Sequence, residues 1–210
     1  FSSMFFNSNT VFIGLPINLA LFGARSVPYV LVYYMANTTF FWTLGVWLIQ
    51  HDGMKEAKID FKQALGKLFS PPLLGFMLAV VLVALHIRLP KFIISTCAYL
   101  GNLTIPMSML FIGIVLSNAG LSRIRFTRDA WGILLGRFLL APLLMTILVL
   151  PSNMPLMMKQ VFILQAAMPV MTNAPVVSRM YHADYNYAAI MVTETTTLSI
   201  IVIPILMVAI

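Results

Sequence analysis

Two strings set an asparagine, a glycine or both beside prolines within apolar surroundings. They are Asn9-Thr-Val-Phe-Ile-Gly14-Leu-Pro16 near one end of the sequence and Met168-Pro169-Val-Met-Thr-Asn173-Ala-Pro175 near the other. A proline within a helix deletes one backbone donor and pushes away the carbonyl four residues back. In hydrocarbon no water meets the freed groups, so an interrupted helix survives only where protein or an aqueous cavity surrounds it. The half-helix that begins at an interruption offers bare N–H groups and the positive end of its dipole, which together suit a carboxylate. Asn9 and Asn173 would add amide donors and acceptors, Gly14 would admit a substrate close to the backbone, and Pro16, Pro169 and Pro175 would shape the breaks. Each asparagine could equally make a helix-helix hydrogen bond, and Gly14 could equally be a site of close packing.

The elements that must hold these strings lie in a membrane. Of 210 residues, 60% are apolar and 9% charged, with a mean hydropathy of +0.95, a composition that excludes a soluble domain. The net charge of +7 comes from 13 Lys and Arg against 6 Asp and Glu. Most of the basic residues fall between apolar runs, where they set topology and meet anionic lipid rather than nucleic acid. The single cysteine, Cys97, excludes an internal disulfide and is expected to pack in its apolar run. No cleavable signal peptide is legible at the start.

Runs of spanning length, about 20 residues, occupy 1–22, 27–50, 71–88, 92–118, 130–150, 157–180 and 186–210. They are too long and too little alternating for barrel strands. The one substantial connection, 51–70, spaces Lys55, Lys58, Lys62 and Lys67 among apolar residues, which fits either an amphipathic helix on the membrane surface or a solvated linker. Basic residues divide unequally between the two sides. The 51–70, 118–130 and 178–186 connections hold four Lys with Arg123, Arg125, Arg128 and Arg179, against Arg25, Arg88, Lys91 and Lys159 opposite. The excess assigns the first group to the cytoplasm and the carboxyl terminus to the outside.

Displacing the chain by 159 residues lays Pro16 on Pro175, Phe22 on Tyr181, Ala24 on Ala183 and Asn37-Thr38 on Thr196-Thr197. Each half then closes as a broken helix, a short loop and one last span. With the orientation above, the broken helices run in opposite directions, an inverted repeat of the sort that gives carriers two related conformations. The chain divides accordingly into 1–50, the end of a first repeat; 51–70, the linker; and 71–210, a second repeat of five spans. The first repeat would need three further spans to match the second.

Several strings resemble a known family, the auxin efflux carriers, which include plant PIN carriers and bacterial malate permease-like proteins. Asn9-Thr-Val-Phe-Ile-Gly-Leu-Pro-Ile with Leu21-Phe22-Gly23 is similar to that family's fourth span, and Gln165-Ala-Ala-Met-Pro169 with Asn173 and Tyr181 to its ninth. Gly101-Asn102-Leu-Thr-Ile-Pro106-Met-Ser-Met-Leu-Phe-Ile-Gly113 and Arg137-Phe-Leu-Leu-Ala-Pro142 resemble the seventh and eighth. The resemblance covers essentially the whole chain as spans four to ten of ten. It implies an all-α membrane protein, a crossover of two broken helices with an organic anion bound beside it, and elevator-like movement against a scaffold. Pro175 stands one residue later than in the plant pattern.

Ionisable groups within spans are costly and therefore functional candidates. Arg137 would either counter an anionic substrate or donate to carbonyls freed at a break, and Glu194 would either carry a proton or serve as a hydrogen-bonded structural group. Asn102, with Thr104, Pro106 and Ser108, makes a polar kink that could touch the rest of the substrate. His51, His86 and His182 fall at segment ends, so no hydrolase or metal set assembles. The expectation is a secondary carrier of small organic anions, malate-like or auxin-like, spanning the inner (plasma) membrane many times. It would act without cofactor, metal or nucleic acid, with lipid around it and a homodimer compatible with the fold. A seven-span receptor and an inactive, truncated fragment are the alternatives.

Overall fold

The computed structural model describes residues 1–53, 71–119 and 127–209. The proposed surface helix lies outside these from residue 54 onward, as do Arg123 and Arg125. The described residues are helical apart from short connections, and their one β-type feature is an isolated antiparallel bridge between Ser8 and Val170. In chain order the helices are α1 (Ser2–Phe6), α2 (Leu15–Phe22), α3 (Val27–Phe40), α4 (Val46–Gly53), α5 (Pro71–Ala84), α6 (Lys91–Asn102) and α7 (Thr104–Ala119). There follow α8 (Arg128–Leu135), α9 (Ala141–Val149), α10 (Leu156–Ala166), α11 (Ala174–Met180) and α12 (Tyr185–Ala209).

Among the described residues three joints between helices are π-turns, Thr10–Gly14, Phe41–Gly45 and Gly136–Leu140. Two of them run directly into a helix with proline at its second position, Pro16 in α2 and Pro142 in α9. A proline ring crowds the turn ahead of it and supplies no donor to it; the wider hydrogen-bond spacing of a π-turn absorbs both effects without breaking the rod. The chain from Thr10 to Phe22 is consequently one continuous helical stretch. Likewise Arg128–Val149 forms one rod, and it and Tyr185–Val208 are the two described helices long and apolar enough to cross a membrane; Thr10–Phe22 and Leu156–Ala166 are shorter apolar helices.

The first interruption therefore falls at Asn7–Asn9, between α1 and the π-turn, and not at Pro16 as the sequence suggested. The second runs from Ala167 to Asn173 and contains Pro169, with Pro175 at the second position of α11. The 92–118 run is likewise divided, at Leu103, into α6 and α7.

A buried apolar cluster that includes Met4, Phe41, Ile133, Val170, Val177 and Met191 ties α1 and the second break to α12. Outward surfaces are apolar too: Val83, Phe92, Tyr99, Leu148 and Val208 are all strongly exposed, as expected where lipid replaces water. Cys97 belongs to this outer surface on α6 and is exposed, contrary to the expected packing role. Connections that the basic-residue count put on one side do meet at one end. A side chain on Gly53 would strike the backbone at Tyr181 and Ala183, so α4 ends against the α11–α12 turn. At the other end α10 packs on Ala24–Ser26.

A crossover of two interrupted helices

Where the two breaks meet, backbone pairs with backbone. The Asn9 N–H donates to Pro169 O at 2.8 Å, next to the antiparallel bridge between Ser8 and Val170. This short contact satisfies groups that neither helix can serve internally. It is reinforced from both sides. Asn37 of α3 treats Ser8 as a strand neighbour would: its Nδ2 donates to Ser8 O at 2.9 Å and its Oδ1 accepts from the Ser8 N–H at 3.0 Å. Thr195 of α12 accepts from the Val170 N–H at 3.1 Å while its own hydroxyl donates to Met191 O at 2.7 Å.

Arg137 closes the carboxyl end of α10. It is 1% exposed, and it donates through Nε to Met168 O at 3.1 Å and through Nη2 to Ala166 O at 3.0 Å and Met168 O at 2.6 Å. A planar fork of donors fits two carbonyls at a helix end in a way a lysine could not. Gly136, one residue before it, lies so close to the Phe5 ring that no side chain fits, which brings the π-turn against α1.

Gln165 bridges the two breaks: its Nε2 donates to Thr10 O at 3.3 Å. Its side chain also lies flat on Gly14, where an added Cβ would come within 2.9 Å of Gln165 Cδ. Gly14 thus admits Gln165 rather than leaving open backbone. Asn9 is 2% exposed; its Oδ1 accepts from the Phe12 N–H at 3.3 Å, opening the Thr10–Phe22 helix, and its Nδ2 has no hydrogen-bond partner among the described residues. Gln165 Oε1 is likewise buried without one. A cavity of about 600 Å³ runs between α2, α7 and α12, lined by Ile13, Ile17, Met109, Thr196, Ile203 and Met207 among others but by neither Asn9 nor Gln165.

The sequence-selected residues separate into two groups. Asn9, Gly14, Pro169 and Arg137 meet at the crossover. Asn173 is half-buried at the start of α11, and its side chain makes no capping bond. Pro16 and Pro175 each lie one turn or more inside or at the start of a helix leading away from the contact. Asn102 is exposed at the end of α6, a helix that packs mainly on α7. Glu194 is 1% exposed on α12, adjacent to Thr195. Asn37, Gln165 and Thr195 were not singled out as site residues. The sequence signals were a polar pair in an apolar span for Asn37, a place in the quoted Gln165-to-Pro169 string, and a run of threonines for Thr195.

Helical throughout its described residues apart from short connections, apolar outside and with a cluster of buried polar groups where two helices break, the chain has the build of an integral membrane protein. The chain belongs to the membrane transport protein family, whose profile matches residues 1–207, the auxin efflux carrier group that its motifs resemble. An uncharacterized transporter of Methanocaldococcus jannaschii is 28% identical over 201 residues, 93% of this chain and 63% of that protein. The chain thus spans less than two thirds of that relative's length.

Proposed function

We propose that the chain is the crossover-bearing part of a secondary carrier of small organic anions, with seven spans drawn from an inverted five-plus-five repeat. The observation that carries this reading is the antiparallel contact of the two breaks, with the Asn9 amide buried beside it and its Nδ2 without a partner among the described residues. An unpaired buried donor is costly, and a carboxylate oxygen would satisfy it. The first N–H groups of the Thr10–Phe22 helix add the positive end of its dipole. The apolar cavity flanking Ile13 would receive the rest of the acid, which favours an auxin-like acid with an apolar body over a malate-like dicarboxylate. Arg137 serves the carrier by holding the α10 end in shape, since its donors are taken by carbonyls. The halves 1–50 and 71–210 would move as an elevator against a scaffold, with residues 51–70 joining them. Glu194 is the carboxyl available for coupling to protons.

A thermal-shift screen of the protein against arylacetates and malate tests the reading, because a ligand of the folded state raises its apparent stability. A rise with an arylacetate that disappears in Asn9→Ala is the expected result. No shift with any acid, or an unchanged shift in Asn9→Ala, would remove the crossover as the carboxylate site.

A further inference from the structure

Two buried side-chain atoms at the crossover lack a hydrogen-bond partner among the described residues, and they are of opposite kinds. Asn9 Nδ2 is a donor and Gln165 Oε1 an acceptor. Both are held against the same π-turn, Thr10–Gly14. Asn9 opens that turn by accepting the Phe12 N–H at 3.3 Å; Gln165 reaches it from α10, donating to Thr10 O at 3.3 Å and lying on Gly14. The two residues are 2% and 0% exposed, so the surrounding chain already encloses both atoms.

Partners decide which end of an amide is oxygen and which is nitrogen. Thr10 O can only accept, so the Gln165 atom facing it is the nitrogen and the atom left over is the oxygen. The Phe12 N–H can only donate, so the Asn9 atom left over is the nitrogen. An ionised carboxylate offers acceptors alone. It would satisfy Asn9 Nδ2 and leave Gln165 Oε1 buried and unpaired, which is costly. An undissociated carboxyl group serves both, its C=O accepting from Asn9 Nδ2 and its O–H donating to Gln165 Oε1. We propose that the crossover binds its acid in the undissociated form, with Asn9 as donor and Gln165 as acceptor, so that the proton travels on the acid itself.

The charges around the turn agree with a neutral ligand. Among the described residues Arg137 and Glu194 are the buried charged side chains, one of each sign. Arg137 spends Nε and Nη2 on Met168 O and Ala166 O, and Glu194 of α12 stands next to Thr195, the partner of Val170 in the second break. From α3 the titratable groups are tyrosines, of which Tyr33 packs on Phe162 of α10 with ring centroids 5.9 Å apart. Lys159 of α10 is directed to Leu150 O at the far end of that helix, and α1, α2 and α7 carry no titratable side chain. A carboxylate would add a negative charge that nothing here is left to match, at the expense that attends any ion at membrane depth. No bond is made or broken at the protein: the acid takes its proton from bulk water and keeps it through binding. Reaching the enclosed atoms requires the breaks to part, and that movement belongs to the carrier reading on which this inference rests.

Isothermal titration calorimetry of the full chain in lipid nanodiscs tests the proposal, with phenylacetate, phenylacetamide and methyl phenylacetate as probes. Above the pKa of the acid, the apparent affinity for phenylacetate should fall about tenfold for each pH unit, following the undissociated fraction. Phenylacetamide has a carbonyl and an N–H in the corresponding places and should bind with one affinity across that range. Methyl phenylacetate keeps the carbonyl without the donor and should bind about tenfold more weakly than the amide, the scale of one buried group left unpaired. In Gln165→Met the amide should lose its advantage over the ester; should that variant fold poorly, the three wild-type titrations decide. A phenylacetate affinity that does not change with pH overturns the undissociated acid and leaves the carrier reading standing with an anion as ligand. An amide that follows pH as the acid does, or an ester that binds as well as the amide, overturns it too. Failure of all three probes at every pH overturns both readings.

Discussion

Arg137 spends its charge on carbonyl groups of its own chain. Its three hydrogen bonds end on Ala166 O and Met168 O, acceptors that α10 leaves bare where it stops. Replacing it with Gln removes the fork and strands buried acceptors, so Arg137→Gln should lower unfolding stability by about 3 kcal/mol. Arg137→Lys should recover only a part, because one ammonium cannot serve both carbonyls. Thermal unfolding in detergent measures both, and equal stability of the Gln variant and the wild type would contradict the assignment. Gly14 offers a sharper test through its neighbour. Gly14→Ala forces its methyl into the Gln165 side chain, at about 1–3 kcal/mol for overpacking. Gln165→Ala vacates that space, so the double variant should be more stable than the sum of the single effects predicts. At this scale the sequence identified Arg137 and Asn9 from their cost within apolar runs. It could not identify Gln165 or Thr195 as contacts of the breaks, since their partners, Thr10 and Val170, are set by how distant helices meet.

Helical elements here are interrupted by tertiary pairing more than by proline. Pro16 pointed to a break, yet the rod passes through it because the Thr10–Gly14 π-turn relieves the crowding. The interruption is displaced to Asn7–Asn9, where Asn37 and Pro169 supply the hydrogen bonds that a helix would have made. Proline marks the neighbourhood of such a break from composition alone; the residue at which the helix opens depends on which partner takes its backbone groups. Pro169, by contrast, lies within the second interruption and its carbonyl is one of the paired groups. Thr195→Val keeps the shape of the side chain but removes the acceptor for the Val170 N–H, and should cost about 1–3 kcal/mol. Pro16→Ala should leave stability within about 1 kcal/mol, since the helix already runs through that position. A loss from Pro16→Ala as large as that from Thr195→Val would restore the proline as the determinant of the break.

The whole molecule has two chemically distinct ends. The end of α4 and the α11–α12 turn meet at one, while Ala24–Ser26 packs on α10 at the other. The basic-residue count groups the connection after α4 with the α11–α12 turn, and these two do meet; how they touch, with Gly53 on the Tyr181–Ala183 backbone, carries no signature in composition. In a Cys97→Ser background, His182→Cys should react with a membrane-impermeant thiol reagent from the cytoplasmic side and Arg25→Cys from the opposite side. Labelling of both from one side would refute the alternation.

The widened turns leave a trace in register. Each α-helical residue advances the azimuth by 100°, so the extra residue held in Phe41–Gly45 rotates everything after it relative to what precedes it. Val30 and Tyr34 before that point, and Val46 and Ile49 after it, are all buried. A deletion of one residue there would straighten the ladder of hydrogen bonds locally and yet turn Val46 and Ile49 away from their neighbours. Chain length in those five positions is therefore constrained by angular phase, and a shorter version would need a compensating insertion before Val46 to fold the same way.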